Sequence, residues 1–280
     1  MDAGAAKHLY SLQHCKILHL VRHGQGVHNV QGQNGPEALV SREFFDAQLS
    51  PLGWQQVNNL RKQVEASGLT KKVDLVITSP LLRTLQTAVG VFGETQTKGF
   101  EVSPSLNANV GKVSHHNSTS GVINCPPIVA VELCRERLGV HPCDQRRSVS
   151  EYQSLFPGID FKLIESEDDN LWKADTREPF EEVVARGMKF LKWLWTRPEK
   201  EIAVVSHGIF LQHTLNALLN DCKPALMSEL CPRFANCEVR SVVIVDKSAT
   251  ESCYAGSVSV GIQLPRDVTK ESISREEVSN

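Results

Sequence analysis

Two short motifs place a histidine directly after an apolar run. Arg22-His23-Gly24 follows Lys16–Val21, and Ser206-His207-Gly208 follows Ile202–Val205. An imidazole can act as a nucleophile or a proton carrier near neutral pH, and a guanidinium can bind an oxyanion through two N–H groups. Glycine lets the backbone approach a ligand closely. The two motifs therefore predict two imidazoles and a guanidinium facing one anion-binding pocket.

Other segments supply the remaining groups that such a pocket needs. Asn29 lies six residues after His23, and Arg83 lies one turn into a helix that begins near Ser79-Pro80. Gly208 opens a helix, whose free N–H groups can bind an anion. The acidic segment 132–139 offers a carboxyl group as proton donor, either Glu136 or Glu132.

This inventory matches phosphoryl transfer through a phosphohistidine. An imidazole attacks phosphorus in line while Arg22, Arg83 and His207 stabilise the equatorial oxygens. The carboxyl group protonates the leaving alkoxide and then activates water or an acceptor hydroxyl. We expect no metal, because the fixed cations neutralise the charge that Mg²⁺ neutralises in other phosphoryl-transfer enzymes.

The elements that position these residues alternate between strands and helices. Ser50 and Pro51 predict the start of a helix that ends near Gly68. The predicted strands are 16–22, 73–79, 127–133, 202–206 and 240–245, and the other predicted helices are 81–89, 179–195 and 210–219. In helix 179–195 the residues near helical spacing, predicted to face the core, are Phe180, Val183, Val184, Met188, Leu191 and Trp195. The alternation predicts an α/β three-layer sandwich with a mostly parallel sheet and helices on both faces. Ligands then bind beyond the carboxyl ends of the strands.

The length of 280 residues and the apolar fraction of 41% suit one catalytic domain, which we assign to residues 1–262. Residues 93–125 are rich in Gly, Ser, Asn, Thr and Lys and are interpreted as a polar insertion or lid. We expect residues 139–178 to be irregular and residues 263–280 to form a disordered tail.

Charge and composition limit the classes of partner that we expect. A net charge of −2 gives no general attraction for nucleic acid, and no stretch approaches the roughly 20 apolar residues of a membrane span. Neither the eight cysteines nor the ten histidines show metal-ligand spacing. The start of the sequence lacks the apolar core of a signal peptide, so we expect free thiols and a cytoplasmic location, with the nucleus also open. The sequence gives no indication of oligomeric state.

Four segments resemble signature stretches of the histidine phosphatase superfamily, which includes cofactor-dependent phosphoglycerate mutases. They are Leu20–Asn29, Asp46–Gln56, Ser79–Thr87 and Val204–Gly208. The resemblance extends in the same order over roughly residues 16–245. The segment Arg135–Asp144 is most similar to eukaryotic phosphoglycerate mutase-like proteins, plant ones in particular.

The resemblance implies that His23 is the phosphorylated nucleophile. It implies that Arg22, Arg83 and His207 form the phosphate pocket, with Asn29 as a further phosphate contact. The family's acid follows a strand in a Leu-x-Glu pattern, which fits Glu136 if Cys134 replaces the Leu. Glu132 remains the alternative.

The chain also departs from the mutases. Mutases follow the acid with Arg-His-Tyr-Gly, whereas this chain has Arg137-Leu138-Gly139. Arg146-Arg147 either replaces the missing positive charge or is a solvent-exposed pair. We therefore expect a metal-independent phosphohydrolase for a small phosphorylated metabolite, such as a carbohydrate-related phosphate ester. The alternatives are a phosphoglycerate mutase, which could need 2,3-bisphosphoglycerate for priming, and a catalytically silent module that binds a phosphorylated ligand.

Overall fold

The computed structural model describes residues 14–32, 35, 39–94, 125–219 and 224–246. Six strands form one sheet in the order β4-β3-β2-β5-β1-β6. They are β1 Cys15–Arg22, β2 Leu75–Thr78, β3 Ile128–Ala130, β4 Ile159–Asp160, β5 Glu201–Ser206 and β6 Val239–Val245. β6 runs antiparallel to β1, and the other neighbouring pairs are parallel. The prediction of a mostly parallel sheet is confirmed.

Helices cover both faces of this sheet. They are α1 Val27–Gln31, α2 Pro51–Ala66, α3 Leu82–Phe92, α4 Val149–Leu155, α5 Phe180–Thr196, α6 Gly208–Leu218 and α7 Pro224–Leu230. Side chains alternate along the strands, so Leu20 packs in the cluster with α5, α6 and α7, whereas Val21 packs in the cluster with α2, α3 and α4. The predicted three-layer α/β sandwich is therefore confirmed.

Helix α2 begins and ends as its sequence predicts. The Ser50 hydroxyl accepts the N–H of Gly53 at 3.0 Å, and Pro51 occupies the first helical position. Gly68 has a φ of 69°, a left-handed conformation that favours glycine after a helix.

The expectation that residues 139–178 are irregular is wrong in part. This segment contains α4 and the short strand β4. Tyr152 of α4 is fully buried, and its hydroxyl donates to Asp46 at 2.8 Å. A long-range contact of this kind carries no local sequence signal, because the partner lies 106 residues away. Strand β3 is also shorter than predicted, since a 3-10 turn at Glu132–Cys134 replaces its end.

The predicted core face of α5 is correct only in part. Phe180 is 41% exposed and Met188 is 37% exposed. Val183 and Leu191 are buried as predicted, and the other buried residues of the helix are Gly187, Phe190 and Leu194. Gly187 lies against Thr214 of α6, where a side chain would collide, so close approach of α6 selects the face.

Several predictions fall outside the described residues. The insertion at 93–125 lies outside them except for its ends, and the tail at 263–280 lies wholly outside, so the domain boundary at 262 stays a prediction. Among the described residues, no helix has the length and apolar character that crossing a membrane requires.

Candidate active site

The carboxyl ends of four parallel strands meet at one edge of the sheet. Arg22 at the end of β1 pairs in register with Ser206 of β5, and Thr78 of β2 pairs with both Val205 and Ala130. The residues that follow these strand ends are therefore neighbours in space. They include both His-Gly motifs, Ser79 and the segment that carries Glu136.

His23 is buried with one ring nitrogen free of a proton. Its Nδ1 donates to the Gly24 carbonyl oxygen at 2.6 Å, so the proton lies on Nδ1. Nε2 accepts from Arg83 Nε at 3.3 Å. Burial, with Arg83 and Arg22 next, lowers the pKa of His23 well below its ordinary value. The imidazole is therefore neutral at neutral pH and directs a lone pair toward Arg83.

His207 lies beside His23, with ring centroids 5.1 Å apart. Its Nε2 hydrogen-bonds to the Ser79 hydroxyl at 2.8 Å, and Nδ1 has no partner among the described residues although it is buried. Burial is the largest cause of the lowered pKa of His207, followed by Arg83. A buried ring nitrogen without a partner needs a ligand or water.

The two predicted arginines flank the histidine pair. Arg83 is 1% exposed and is oriented by the Cys143 carbonyl at 2.5 Å and by Asp144 at 2.8 Å. Arg22 donates from Nη1 to the Phe234 carbonyl at 2.6 Å. Its buried Nε has no partner in the described part of the chain.

Glu136 lies at the start of α6. Its carboxylate accepts the N–H groups of Ile209 at 3.3 Å and Phe210 at 3.1 Å, and also that of Arg137 at 3.0 Å. Burial first and the negative charge of Asp144 second raise the pKa of Glu136. A carboxyl group with a raised pKa is suited to proton donation.

The alternative acid, Glu132, is engaged elsewhere. It accepts from Arg135 Nη1 at 3.0 Å and from Arg146 Nε at 2.6 Å. Two guanidinium groups therefore hold its carboxylate in an ion-pair cluster. This placement favours Glu136 over Glu132 as the proton donor.

The structure gives Asn29 and Gly208 local partners. The Asn29 amide accepts the Gly26 N–H at 2.9 Å and donates to His28 Nε2 at 3.0 Å. Gly208 brings α6 close to Arg22, since a side chain there would lie 3.3 Å from Arg22 Nε. The predicted phosphate contacts of Asn29 and Gly208 stay predictions.

Three residues near the pocket were missed by the sequence reasoning. The ring of His28 lies 6.0 Å from that of His23, and its buried Nδ1 lacks a partner among the described residues. Burial, with Arg83 next, lowers the pKa of His28 to about 3. Asp144 and its partner Arg177 are the others. His28 and Asp144 lie in segments that the sequence analysis singled out, Leu20–Asn29 and Arg135–Asp144, whereas Arg177 carries no such signal.

Arg146 and Arg147 do not supply the pocket with charge, and they are not a solvent-exposed pair. Arg146 is 2% exposed and binds Glu132 and several backbone carbonyls. Arg147 forms ion pairs with Asp46 and Glu151. Both arginines hold the segment after Asp144 in place.

One group of three described side chains comes close enough to share a metal ion, namely His141, Cys143 and Asp144. Asp144 is already paired with Arg83 and Arg177. Burial raises the pKa of the Cys143 thiol, which disfavours the thiolate that binds metals. The residues of this group therefore fit a metal poorly.

The fold and the site define a class of α/β protein with paired histidines and arginines at the sheet edge. The family model of the histidine phosphatase superfamily (branch 1) matches residues 18–118 and 158–254. The chain belongs to the histidine phosphatase superfamily.

Its relatives include plant proteins of similar length. It is 57% identical over 273 residues to phosphoglycerate mutase-like protein 1 of Arabidopsis thaliana, which covers 95% of this chain and 96% of that protein. It is 53% identical over 264 residues to the Arabidopsis thaliana phosphoglycerate mutase-like protein, over 92% of this chain and 97% of that one. The resemblance to the phosphoglycerate mutase-like branch is confirmed.

The same fold occurs in solved structures of low sequence identity. The protein described as mycobacterial hydrolase 2 superimposes with a TM-score of 0.51 at 18% identity, over 92% of this chain and 94% of that one. This similarity supports the fold alone.

Proposed function

We propose that this protein is a metal-independent phosphomonoesterase that works through a phosphohistidine at His23. The observation that carries the proposal is the state of the His23 ring. Its Nδ1 proton is held by the Gly24 carbonyl, which leaves an unprotonated Nε2 next to Arg83 and His207. A neutral imidazole fixed beside phosphate-binding cations is what nucleophilic attack on phosphorus requires.

In the first step, His23 Nε2 forms a bond to phosphorus and the bond from phosphorus to the leaving oxygen breaks. Arg22, Arg83 and His207 neutralise the charge on the equatorial oxygens. Glu136 gives its proton to the leaving alkoxide, which otherwise departs poorly. The products of this step are an alcohol, a phosphohistidine and the Glu136 carboxylate.

In the second step, the Glu136 carboxylate removes a proton from water as the water oxygen attacks phosphorus. The bond from phosphorus to Nε2 breaks, and its electron pair returns to the imidazole. Inorganic phosphate leaves, and Glu136 is again protonated. The cycle needs no metal, since guanidinium groups supply the positive charge.

The substrate we propose is a small phosphorylated metabolite, with a carbohydrate-related phosphate ester as the preferred class. The chemistry calls for no dissociable cofactor, and we propose no nucleic-acid or membrane partner. The protein would act in the cytoplasm, with the nucleus also accessible.

A phosphoglycerate mutase is the second candidate, and the names of the plant relatives favour it. A mutase would pass the phosphoryl group to a second hydroxyl and would need 2,3-bisphosphoglycerate for priming. Arg137, which follows the proposed acid, donates to the Glu178 carbonyl at 2.6 Å and lies over the Phe180 ring at 4.1 Å. These contacts already engage the Arg137 guanidinium within the protein, which supports the proposal of hydrolysis.

The test is a screen of phosphorylated metabolites for phosphate release, with interconversion of 3- and 2-phosphoglycerate assayed alongside. Hydrolysis predicts inorganic phosphate from at least one ester, whereas a mutase predicts interconversion without net phosphate loss. Rapid quenching should trap acid-labile, base-stable phosphate on wild-type protein and none on His23→Ala. Binding of phosphate esters with no phosphoenzyme and no turnover would indicate a silent binding module.

A further inference from the structure

Asp144 places a carboxylate inside a pocket built for an anion. Its side chain is only 5% exposed and lies between Arg83 Nη2, at 2.8 Å from Oδ1, and Arg177 Nη1, at 3.1 Å from Oδ2. Burial alone would raise the pKa of Asp144, but Arg83 and Arg177 hold it below its ordinary value. A buried negative charge weakens the attraction of the pocket for phosphate. The presence of the Asp144 carboxylate there therefore indicates that it has a function in the site.

We propose that Asp144 is a positioning residue for phosphoryl transfer, whose carboxylate holds Arg83 against His23 and whose negative charge favours the protonated form of the Glu136 carboxyl. This inference rests on the proposed function, because it concerns how the same two groups are prepared for reaction. Asp144 itself contacts neither the nucleophile nor the leaving group.

The contact chain from Asp144 to the nucleophile has two steps. Arg83 donates from Nη1 to the Cys143 carbonyl and from Nη2 to Asp144, so the guanidinium plane is fixed from one side. Its Nε then faces His23 Nε2 at 3.3 Å. Two hydrogen bonds to one guanidinium limit its rotation more than a single hydrogen bond does.

The effect of Asp144 on Glu136 depends on every charge around that carboxyl group. Arg22, Arg83 and Arg137 favour its ionised form, as do the N–H groups of Arg137, Ile209 and Phe210. Burial and Asp144 oppose them, and together they raise the pKa of Glu136. Asp144 is thus the negatively charged group that opposes ionisation of Glu136.

The experiment measures the pH dependence of kcat/KM for an alkyl phosphate that wild-type protein hydrolyses. Asp144→Asn keeps an oxygen for Arg83 and removes the charge, so the basic limb of the profile should move down by about one pH unit. Asp144→Glu keeps the charge and should restore the position of that limb. Arg177→Gln alters only the partly exposed partner and should move the limb upward, which provides a second test if Asp144→Asn does not fold.

Asp169→Asn is the matched control, because Asp169 is another buried, arginine-paired aspartate, 2.6 Å from Arg135. It should lower the melting temperature and leave the limb in place. Basic limbs that stay at the wild-type pH in Asp144→Asn and Arg177→Gln would overturn the inference and leave the proposed function standing. A wild-type protein that forms no phosphoenzyme and releases no phosphate would overturn both.

Discussion

Two clusters of arginines and carboxylates lie side by side in this protein and differ in how their nitrogens are used. The site cluster contains Arg22, Arg83, Glu136, Asp144, His23 and His207. The ion-pair cluster contains Arg135, Arg146, Glu132 and Asp169. They touch where Arg135 Nη2 donates to the Asp144 carbonyl at 2.6 Å.

The ion-pair cluster is nearly saturated by the protein itself. Arg146 donates from all three of its nitrogens, and Arg135 donates to both carboxylate oxygens of Asp169. In the site cluster, Arg22 Nε and His207 Nδ1 are buried without partners among the described residues. Charged residue types alone therefore do not identify a functional site, since both clusters contain arginines and carboxylates. Arg135 Nε of the ion-pair cluster is also buried without a partner among the described residues, so the paired imidazole rings of the site cluster are what distinguish the two.

The largest expected effect comes from removing the proposed nucleophile of the site cluster, His23. His23→Ala should reduce phosphate release by at least about 10⁴-fold, because no other group can form the bond to phosphorus. Single-turnover and steady-state assays measure the loss. His19→Gln is the control, because His19 is a buried histidine within β1 that is hydrogen-bonded to Ser241 and Glu201. Undiminished turnover in His23→Ala would remove the nucleophile assignment.

The next largest effects come from removing one carboxylate of each cluster, Glu136 of the site cluster and Glu132 of the ion-pair cluster. Glu136→Gln should slow alkyl phosphates by about 10²- to 10³-fold and activated aryl phosphates far less, because only poor leaving groups need the proton. Glu132→Gln should instead lower the free energy of unfolding by about 3 kcal/mol, since it leaves Arg135 and Arg146 short of a partner. Equal losses for both ester types in Glu136→Gln would contradict the role of proton donor.

How much of this could be predicted from sequence depends on whether the signal is local. Ser50, Pro51 and Gly68 specify the ends of α2 through contacts within a few residues, and the structure agrees. The strand ends with His23 and His207 were predicted because a parallel sheet brings such ends to one edge. These signals need only the order of residues along the chain.

The rest depends on contacts between distant segments. Helix α4 forms in a segment predicted to be irregular, where Tyr152 reaches Asp46. Asp144 reaches the site because of the path of the loop after Glu136, and only the structure shows that path. Sequence spacing supplied both candidate acids, and the choice between Glu136 and Glu132 needed the location of Arg146.

A smaller effect concerns the pH dependence of stability. Folding buries His23, His28 and His207 and lowers their pKa values, that of His28 to about 3. Below about pH 6.5 the unfolded chain binds protons that the folded chain does not. The free energy of unfolding therefore decreases as the pH is lowered, by roughly 1.4 kcal/mol per pH unit for each group.

Urea denaturation between pH 5 and 8 tests this dependence. The stability of His28→Gln should fall less steeply toward low pH than that of wild type, because one of the buried rings with a lowered pKa is gone. A wild-type stability that stays constant from pH 8 to pH 5 would show that these histidines are not buried in their neutral form.

The smallest expected effect tests whether the Ser79 hydroxyl fixes the orientation of the His207 ring, and with it the position of Nδ1. Ser79→Ala removes the hydrogen bond to Nε2, so the ring can rotate or change tautomer and present Nδ1 less often. One hydrogen bond is worth about 1 kcal/mol, which predicts a loss of about fivefold in kcat/KM. Thr78→Val is the control, because the Thr78 hydroxyl donates to the Ser79 carbonyl and does not touch His207. If both variants lose the same activity, the hydroxyl of Ser79 acts through stability, and His207 holds its orientation without it.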